Sequence, residues 1–388
     1  MTDEKGICLF QFRLFITAYL KSIFAYHQVG ARFSVKHILF LALFPIFFIT
    51  LEIVNRLCFL IDLLIFPGFR HIPVTSPVFI TGFPRSGTTH LHRLLIKDGQ
   101  FTALKLWEIL FAPAIIQKQF FRLIGRIDRR FGSPLYKKAC AMEARLFAEA
   151  RKMHHISHFE AEEDEMILIH IFASAFQTFM FPFDEMSAFA DFDNAVPARR
   201  RKAIMRFYKN CIRRHLYVFG RDRHYVSKNP AFSAKIKSIY QTFPDARVVC
   251  MVRSPFEAVP SAVSWMSHNL RSFHDTANTY ETERILDWIS HWYTYPIRVL
   301  KAYPGSAWAI KTYDELVSDP KNLVSNLYQR FGFTVSADFE ATLDDAARRA
   351  KTYQSRHVYA LEDMGLSPER VAEQFDATFN EFGFVREG

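Results

Sequence analysis

The chain has 388 residues, half of them hydrophobic and 23% charged, which excludes a disordered chain and allows one large domain with an extension or two domains. Lys and Arg number 49 against 39 Asp and Glu, and the resulting formal charge of +10 points to an acidic ligand, an anionic membrane surface or nucleic acid without choosing among them. The five cysteines (Cys8, Cys58, Cys140, Cys211, Cys250) include no close pair and the chain has no Asn-x-Ser/Thr sequon, so no zinc site, redox pair or secreted disulfide framework is expected and the reading is a cytoplasmic protein.

Residues 1–75 read as an apolar, helical N-terminal extension. Residues 1–70 hold 12 of the 41 phenylalanines and only four acidic residues, Asp3, Glu4, Glu52 and Asp62. The apolar run Ile38–Leu51 has 14 residues, short of the ~20 that a transmembrane helix needs. Met1–Cys8 has neither the basic start nor the cleavage site of a signal peptide. Beyond Leu51, Glu52, Asn55, Arg56 and Asp62 project onto one narrow arc, with Ile, Leu, Phe and Val around the rest. Two readings stand side by side: a helix packed on the catalytic domain, or one lying in a bilayer surface on the cytoplasmic face.

From residue 76 to 388 the pattern is α/β. Val78–Thr81 is a short apolar strand, Gly82–Thr89 a turn and His90–Ile96 a helix. Residues 100–220 look mostly helical, with basic clusters interrupted by the acidic "FEAEEDEMILIHIF". A second unit follows, with a strand at 224–228, a helix from about Pro230 to Thr242 and a strand at 246–253. A further strand ends near Lys311, and Ser367-Pro368-Glu369 starts a C-terminal helix. Alternating elements imply a mostly parallel sheet with helices on both faces and ligands at the carboxyl ends of its strands.

Two such ends carry chemistry. In "GFPRSGTT", Gly82 and Gly87 keep a G-x-x-x-x-G spacing, so backbone N–H groups and the following helix end favour a bound phosphate. A nucleoside-triphosphate loop would carry Lys at position 88; here it is Thr88, followed by Thr89, and the cation has moved to Arg85. The strand "ARVVCMVR" ends in Arg253 rather than a metal-binding aspartate, which suits a nucleotide handled without magnesium. Ser261 lies eight residues beyond Arg253, close enough to share one anion across a strand-to-helix turn.

Together these stretches resemble the sulfotransferases that use 3′-phosphoadenosine 5′-phosphosulfate (PAPS). "PRSGTT" (84–89) resembles their 5′-phosphosulfate loop, and "RSPFEAVPS" (253–261) their 3′-phosphate motif. "SKNPAFSAKIKSIYQTFPDARVVCMVRSP" and "HVYALEDMGLSPERVAEQF" are similar to segments of a large, mainly bacterial branch, so the likeness covers roughly 77–385. It implies a P-loop-like α/β fold, with PAPS as donor and no metal. Arg85 and the amides of Ser86, Gly87, Thr88 and Thr89 would meet the 5′-phosphosulfate, and Arg253 and Ser261 the 3′-phosphate. Lys228 ends the 224–228 strand and either faces the crevice, touching sulfonate or acceptor, or is a solvated strand-end lysine.

The acceptor, a hydroxyl or an amine, has to lose a proton, and the resembled family uses His or Glu for this. "KMHHISHFEAEEDEMILIH" offers His154, His155, His158, Glu160, Glu162, Glu163 and Asp164. The resemblance favours Glu162 or Glu163, with His158 behind them; acidic residues in a first turn also stabilise a helix with no catalytic part. The aromatic "FQTFMFPFDEMSAFADFDN" either lines an apolar acceptor pocket or belongs to the core. With the N-terminal segment it motivates a hydrophobic or lipid-like alcohol as acceptor, met through peripheral membrane contact by 1–70. An ATP-using P-loop kinase lacks its lysine here. A non-catalytic binder of membrane or nucleic acid would spread its cations along one face, and no nucleic-acid partner is expected.

Overall fold

Four short runs, each too short for a helix, two of them built mainly of Val, Ile, Phe, Met and Cys and two mixing Tyr, Trp, Val, Ala and Ile with polar residues, form the centre of the computed structural model. It describes residues 10–29, 33–146, 157–274, 279–350, 361 and 364–386. The strands are β1 (Val78–Gly82), β3 (His224–Lys228), β4 (Arg247–Val252) and β5 (Trp308–Thr312), joined at one edge by a two-residue β2 (Phe101–Thr102) that the sequence did not announce. All pairings are parallel, in the order β2-β3-β1-β4-β5. Parallel alignment brings every carboxyl end to one edge: Gly82 is in register with Met251, and Ile80 with Lys228.

Burial on both faces explains the near-continuous apolar strands. Side chains alternate with period two: Val78, Ile80, Val249 and Met251 pack on one side, and Phe79, Val248, Cys250 and Val252 on the other. The first side is covered by α3 (Thr88–Leu95) and by helices Pro320–Phe331 and Ala337–Ala350. The second is covered by α7 (Ala198–Phe219), by helix Ile236–Thr242 and by α9 (Thr279–Leu300). The stretch expected as one helix from Pro230 is a 3₁₀ turn, Pro230–Lys235, followed by Ile236–Thr242. Ser367 caps Pro368–Gln374 as anticipated, accepting from the N–H of Arg370.

The N-terminal region is helical: α1 spans Phe12–Phe24 and α2 spans Val35–Ile65. The 14-residue apolar run is thus only part of a 31-residue helix, because the polar arc that breaks the run in sequence stays on one face and does not break the helix. That face turns inward. Glu52, Asn55 and Asp62 are buried against the domain together with Phe59, while Ile53, Val54, Leu57, Leu60 and Ile61 are exposed, so the polar arc faces inward where an amphipathic helix usually turns it out. By length and composition α2 could cross a membrane.

The inward arc is matched group for group. Asp62 accepts the N–H groups of Ile115 and Ile116 at the start of α5 (Ile115–Arg130) at 2.8 and 3.0 Å, and pairs with buried Arg214 of α7 at 3.0 Å. Glu52 meets His170 Nδ1 at 2.5 Å, the other ring nitrogen of His170 lies 2.7 Å from the Ile109 carbonyl of α4 (Leu106–Phe111), and Asn55 accepts from Gln117 at 2.8 Å. Arg56 donates to the carbonyl of His170 at 2.7 Å. Buried polar groups cost little only when paired in this way.

Candidate active site

The loop after β1 is shaped by two glycines. Gly82 has φ +120°, and a Cβ there would lie 2.1 Å from the Met251 carbonyl oxygen. Gly87 has φ +86°, with a Cβ position 3.0 Å from the Tyr313 ring and 3.1 Å from Leu316. Between them Arg85 itself takes a left-handed φ of 70°, a conformation that costs a non-glycine residue about 1–3 kcal/mol and is retained mainly at working sites. The hydroxyl of Ser233 holds the strand end from below, accepting the Gly82 N–H at 3.0 Å and lying 2.7 Å from Thr81 Oγ1.

Thr88 opens α3 directly after Gly87, so the helix begins two residues earlier than the sequence indicates. Thr88 and Thr89 line the cavity with Arg85 and Gly87. Ser86 behaves otherwise: it is fully buried, its N–H bonds the Phe83 carbonyl at 3.3 Å, and its hydroxyl reaches the Phe83 and Met251 carbonyls at 2.6 and 3.0 Å. Its groups fasten the loop to β4.

The second motif joins the first. Arg85 Nε donates to Ser261 Oγ at 3.0 Å, across from α8 (Pro255–Phe273). Arg253, just past β4, lies over the Tyr313 ring with its guanidinium carbon 4.1 Å from the centroid, donates through Nε to Glu257 at 2.9 Å, and places a terminal nitrogen 3.4 Å from the Arg85 carbonyl. Tyr313, which nothing in the motifs singled out, therefore orients one arginine and limits the loop at Gly87.

The acidic stretch separates into two groups. Asp164 is buried under hydroxyl donors from Tyr208, Tyr225 and Ser227, and burial lifts its carboxyl up to about 6. Glu165 pairs with buried Lys235 at 2.8 Å. Both belong to the fold, in the first turn of a 3₁₀ helix, Asp164–Ile171. Glu162 and Glu163 instead line the cavity. Lys228, fully buried rather than solvated, lies beneath them, 3.1 Å from Glu163 and 3.9 Å from Glu162. Below this group His92 of α3 is held neutral, its pKa drawn down to about 3 by burial and then by the Lys228 charge. His158 is placed elsewhere: it is bound to Glu143 through Nδ1 at 3.0 Å and through its backbone N–H, outside the cavity lining. His154 and His155 lie outside the described residues.

The loop, Arg253, Ser261, Glu162 and Glu163 open into one cavity of about 1290 Å³. Its charged end holds Arg85, Arg253, Ser261, Glu162 and Glu163; its other end is walled by Phe176, Phe179, Trp265, Met266, Phe273 and Trp288. The aromatic stretch divides between the two roles foreseen for it, with Phe176, Phe179 and Met180 on the cavity and Phe181, Phe183, Phe189 and Phe192 in the core. Trp265 and Phe273 come from α8, and no sequence signal linked them to the site. Phe384 and Val385 of the tail complete the lining.

Against known proteins, the profile of the sulfotransferase family matches residues 77–337. The chain belongs to the sulfotransferase family. It is an enzyme that transfers a sulfuryl group. Among curated relatives, omega-hydroxy-beta-dihydromenaquinone-9 sulfotransferase Stf3 of Mycobacterium bovis and of Mycobacterium tuberculosis is 23% identical over 325 residues, covering 80% of this chain and 76% of the relative. Sulfotransferase STF9 from Mycobacterium avium shares the fold with a TM-score of 0.70 at 21% identity, over 87% of this chain and 84% of that one. Sulfotransferase STF1 from M. tuberculosis H37Rv does so at 0.68 and 24%, over 97% and 93%. The P-loop-like parallel sheet expected from the sequence is thus the fold of this family.

Proposed function

We propose that this sulfotransferase moves the sulfuryl group of PAPS to the hydroxyl of a hydrophobic, lipid-like alcohol, that residues 76–388 form the catalytic unit, and that residues 1–75 extend it toward a membrane. The observation that carries this reading is the single cavity, lined by phosphate-loop cations at one end and by aromatic rings at the other. The relative whose name specifies an omega-hydroxylated menaquinone fits the same pattern of a hydroxyl on an apolar body.

The site fits the donor chemically. Gly82 and Gly87 let the loop close against Met251 and Tyr313, α3 points its positive end toward the cavity, and Arg85 and Arg253 supply fixed cations. PAPS supplies an activated sulfuryl group and a bisphosphate leaving group. Arg85 and the amides of Gly87, Thr88 and Thr89 would hold the 5′ side and stabilise the charge that grows on the leaving oxygen. Ser261 and Arg253 would hold the 3′-phosphate and so separate the donor from ordinary ATP. A glutamate at the junction of the two ends takes the acceptor proton. Glu162 is the candidate base of the pair, because Lys228 holds Glu163 at 3.1 Å, within hydrogen-bond distance, and stands 3.9 Å from Glu162.

The test is transfer of label from PAPS to a panel of long-chain alcohols, phenols and sugars, with thermal shift by adenosine 3′,5′-bisphosphate against ATP–Mg²⁺. Labelled long-chain sulfate ester and stabilisation by the bisphosphate are expected. Arg253→Ala should weaken bisphosphate binding at least ~10-fold, since a charge-assisted pair is worth about 1.5–3 kcal/mol, and Arg253→Lys should restore little, because the planar stack on Tyr313 is lost. Stabilisation by ATP–Mg²⁺ alone would sink the assignment.

A further inference from the structure

Between Ile38 and Ile65, α2 exposes no charged side chain: its outer surface is Ile38, Leu43, Phe47, Leu57, Leu60 and Leu64 among others, with Leu64 81% exposed. Its neighbours continue the pattern. α1, tied to α2 by Tyr19 donating to the Leu41 carbonyl, exposes Phe12, Ile16, Leu20 and Phe24 in one i, i+4 stripe. α5, capped by Asp62 of α2, exposes Phe120, Leu123 and Ile127, and α6 (Pro134–Leu146) adds Leu135 and Met142.

The charges on these four helices are sorted by sign. Every acidic residue they contain (Glu52, Asp62, Asp128, Glu143) is buried, where Asp62 and Asp128 accept N–H groups at the starts of α5 and α6. Among the described side chains, every exposed charge is a cation: Arg13 on α1, Lys36 on α2, then Arg122, Arg126, Arg129 and Arg130 on α5, and Lys137, Lys138 and Arg145 on α6. A broad apolar surface with an all-cationic fringe complements an anionic lipid surface, and it would oppose a second copy of the same face through like-charge repulsion.

The same face adjoins the cavity. Phe40 of α2 has its ring centroid 5.8 Å from Phe273, which lines the apolar end, and 5.8 Å from Phe181. Lys36 donates to the carbonyl of Arg271 beside it. α2 measures about 46 Å at 1.5 Å per residue, yet its inward arc is bonded to α5, α7 and His170. Insertion across a bilayer would strip buried charges from their partners, at several kcal/mol each.

We propose, resting on the lipid-like acceptor argued above, that α1, α2, α5 and α6 form a monotopic docking face for an anionic bilayer, with α2 lying in the membrane plane, and that the acceptor's chain passes from lipid into the cavity beside Phe40 and Phe273. The acceptor's hydroxyl then reaches Glu162 while its tail remains in an apolar environment throughout.

The full chain is floated with phosphatidylcholine vesicles, with and without phosphatidylglycerol, and assayed on a vesicle-embedded long-chain alcohol and on a short soluble one. The wild type is expected to float, more strongly with phosphatidylglycerol. The combined Leu43→Glu, Phe47→Glu, Leu57→Glu variant, altered only at exposed positions, should stay unbound and lose at least ~10-fold in turnover on the embedded alcohol, with turnover on the short alcohol unchanged. Arg122→Glu with Arg126→Glu should remove only the phosphatidylglycerol dependence. A wild type that does not float, a triple variant that floats equally well, or a wild-type dimer that the triple variant splits would each overturn docking. Flotation without transfer to either alcohol would overturn the catalytic reading and leave the docking face standing.

Discussion

Arg85 Nε sits 3.0 Å from Ser261 Oγ, so the residue assigned to the 5′ side of the donor is hydrogen-bonded to one assigned to the 3′ side. The two proposed anion sites would therefore share a group and not behave independently. Arg85→Ala and Ser261→Ala should each weaken adenosine 3′,5′-bisphosphate binding by about tenfold, and the double variant by clearly less than the product, a coupling of about 1 kcal/mol. Calorimetric titration of the four proteins measures it. Strict additivity would mean that the bond seen here has no part in the bound state.

Glu162 and Glu163 differ in their distance from Lys228, 3.9 against 3.1 Å. Glu162→Gln should lower kcat by about 10²–10³ and abolish its rise with pH, as loss of a general base does, while Glu163→Gln should cost less and keep the rise. pH–rate profiles on one alcohol decide, and the opposite ranking would exchange the two roles.

His92 gives acid sensitivity a definite sign. Its pKa falls from 6.5 in an open chain to about 3 in the fold, so the unfolded chain binds the proton first. Stability from keeping His92 neutral is complete above pH 6.5 and is lost progressively as pH falls toward 3, a total on the order of 5 kcal/mol. Denaturation free energies at pH 7 and pH 5 should fall more for the wild type than for His92→Gln. Parallel losses would contradict this.

Asp62 holds α2, α5 and α7 together through two backbone N–H groups and the buried Arg214. Asp62→Ala should cost about 3–5 kcal/mol in urea unfolding, since it strands a buried guanidinium, and Asp62→Asn should cost less because one acceptor remains. A loss below 1 kcal/mol in Asp62→Ala would show that water replaces the carboxylate.

The sheet and the two candidate anion loops were legible in the chain because their signals are local. Gly82, Arg85 and Gly87 lie within six residues of one another, Arg253 and Ser261 within one strand-to-helix turn, and apolar runs between turn residues are short-range signals of strands. Long-range pairing decided the rest. Ser86 faces β4 rather than the cavity, Lys228 is buried under two glutamates rather than solvated, and His158 is bound to Glu143. Tyr313 reaches the cavity from a distant element, and Trp265 and Phe273 from further along the helix that carries Ser261. The arc of Glu52, Asn55, Arg56 and Asp62 was plain in sequence, but its direction was not: a helical wheel gives which residues share a face, and only the partners His170, Gln117 and Arg214 determine that the polar face turns inward and leaves the apolar one outside.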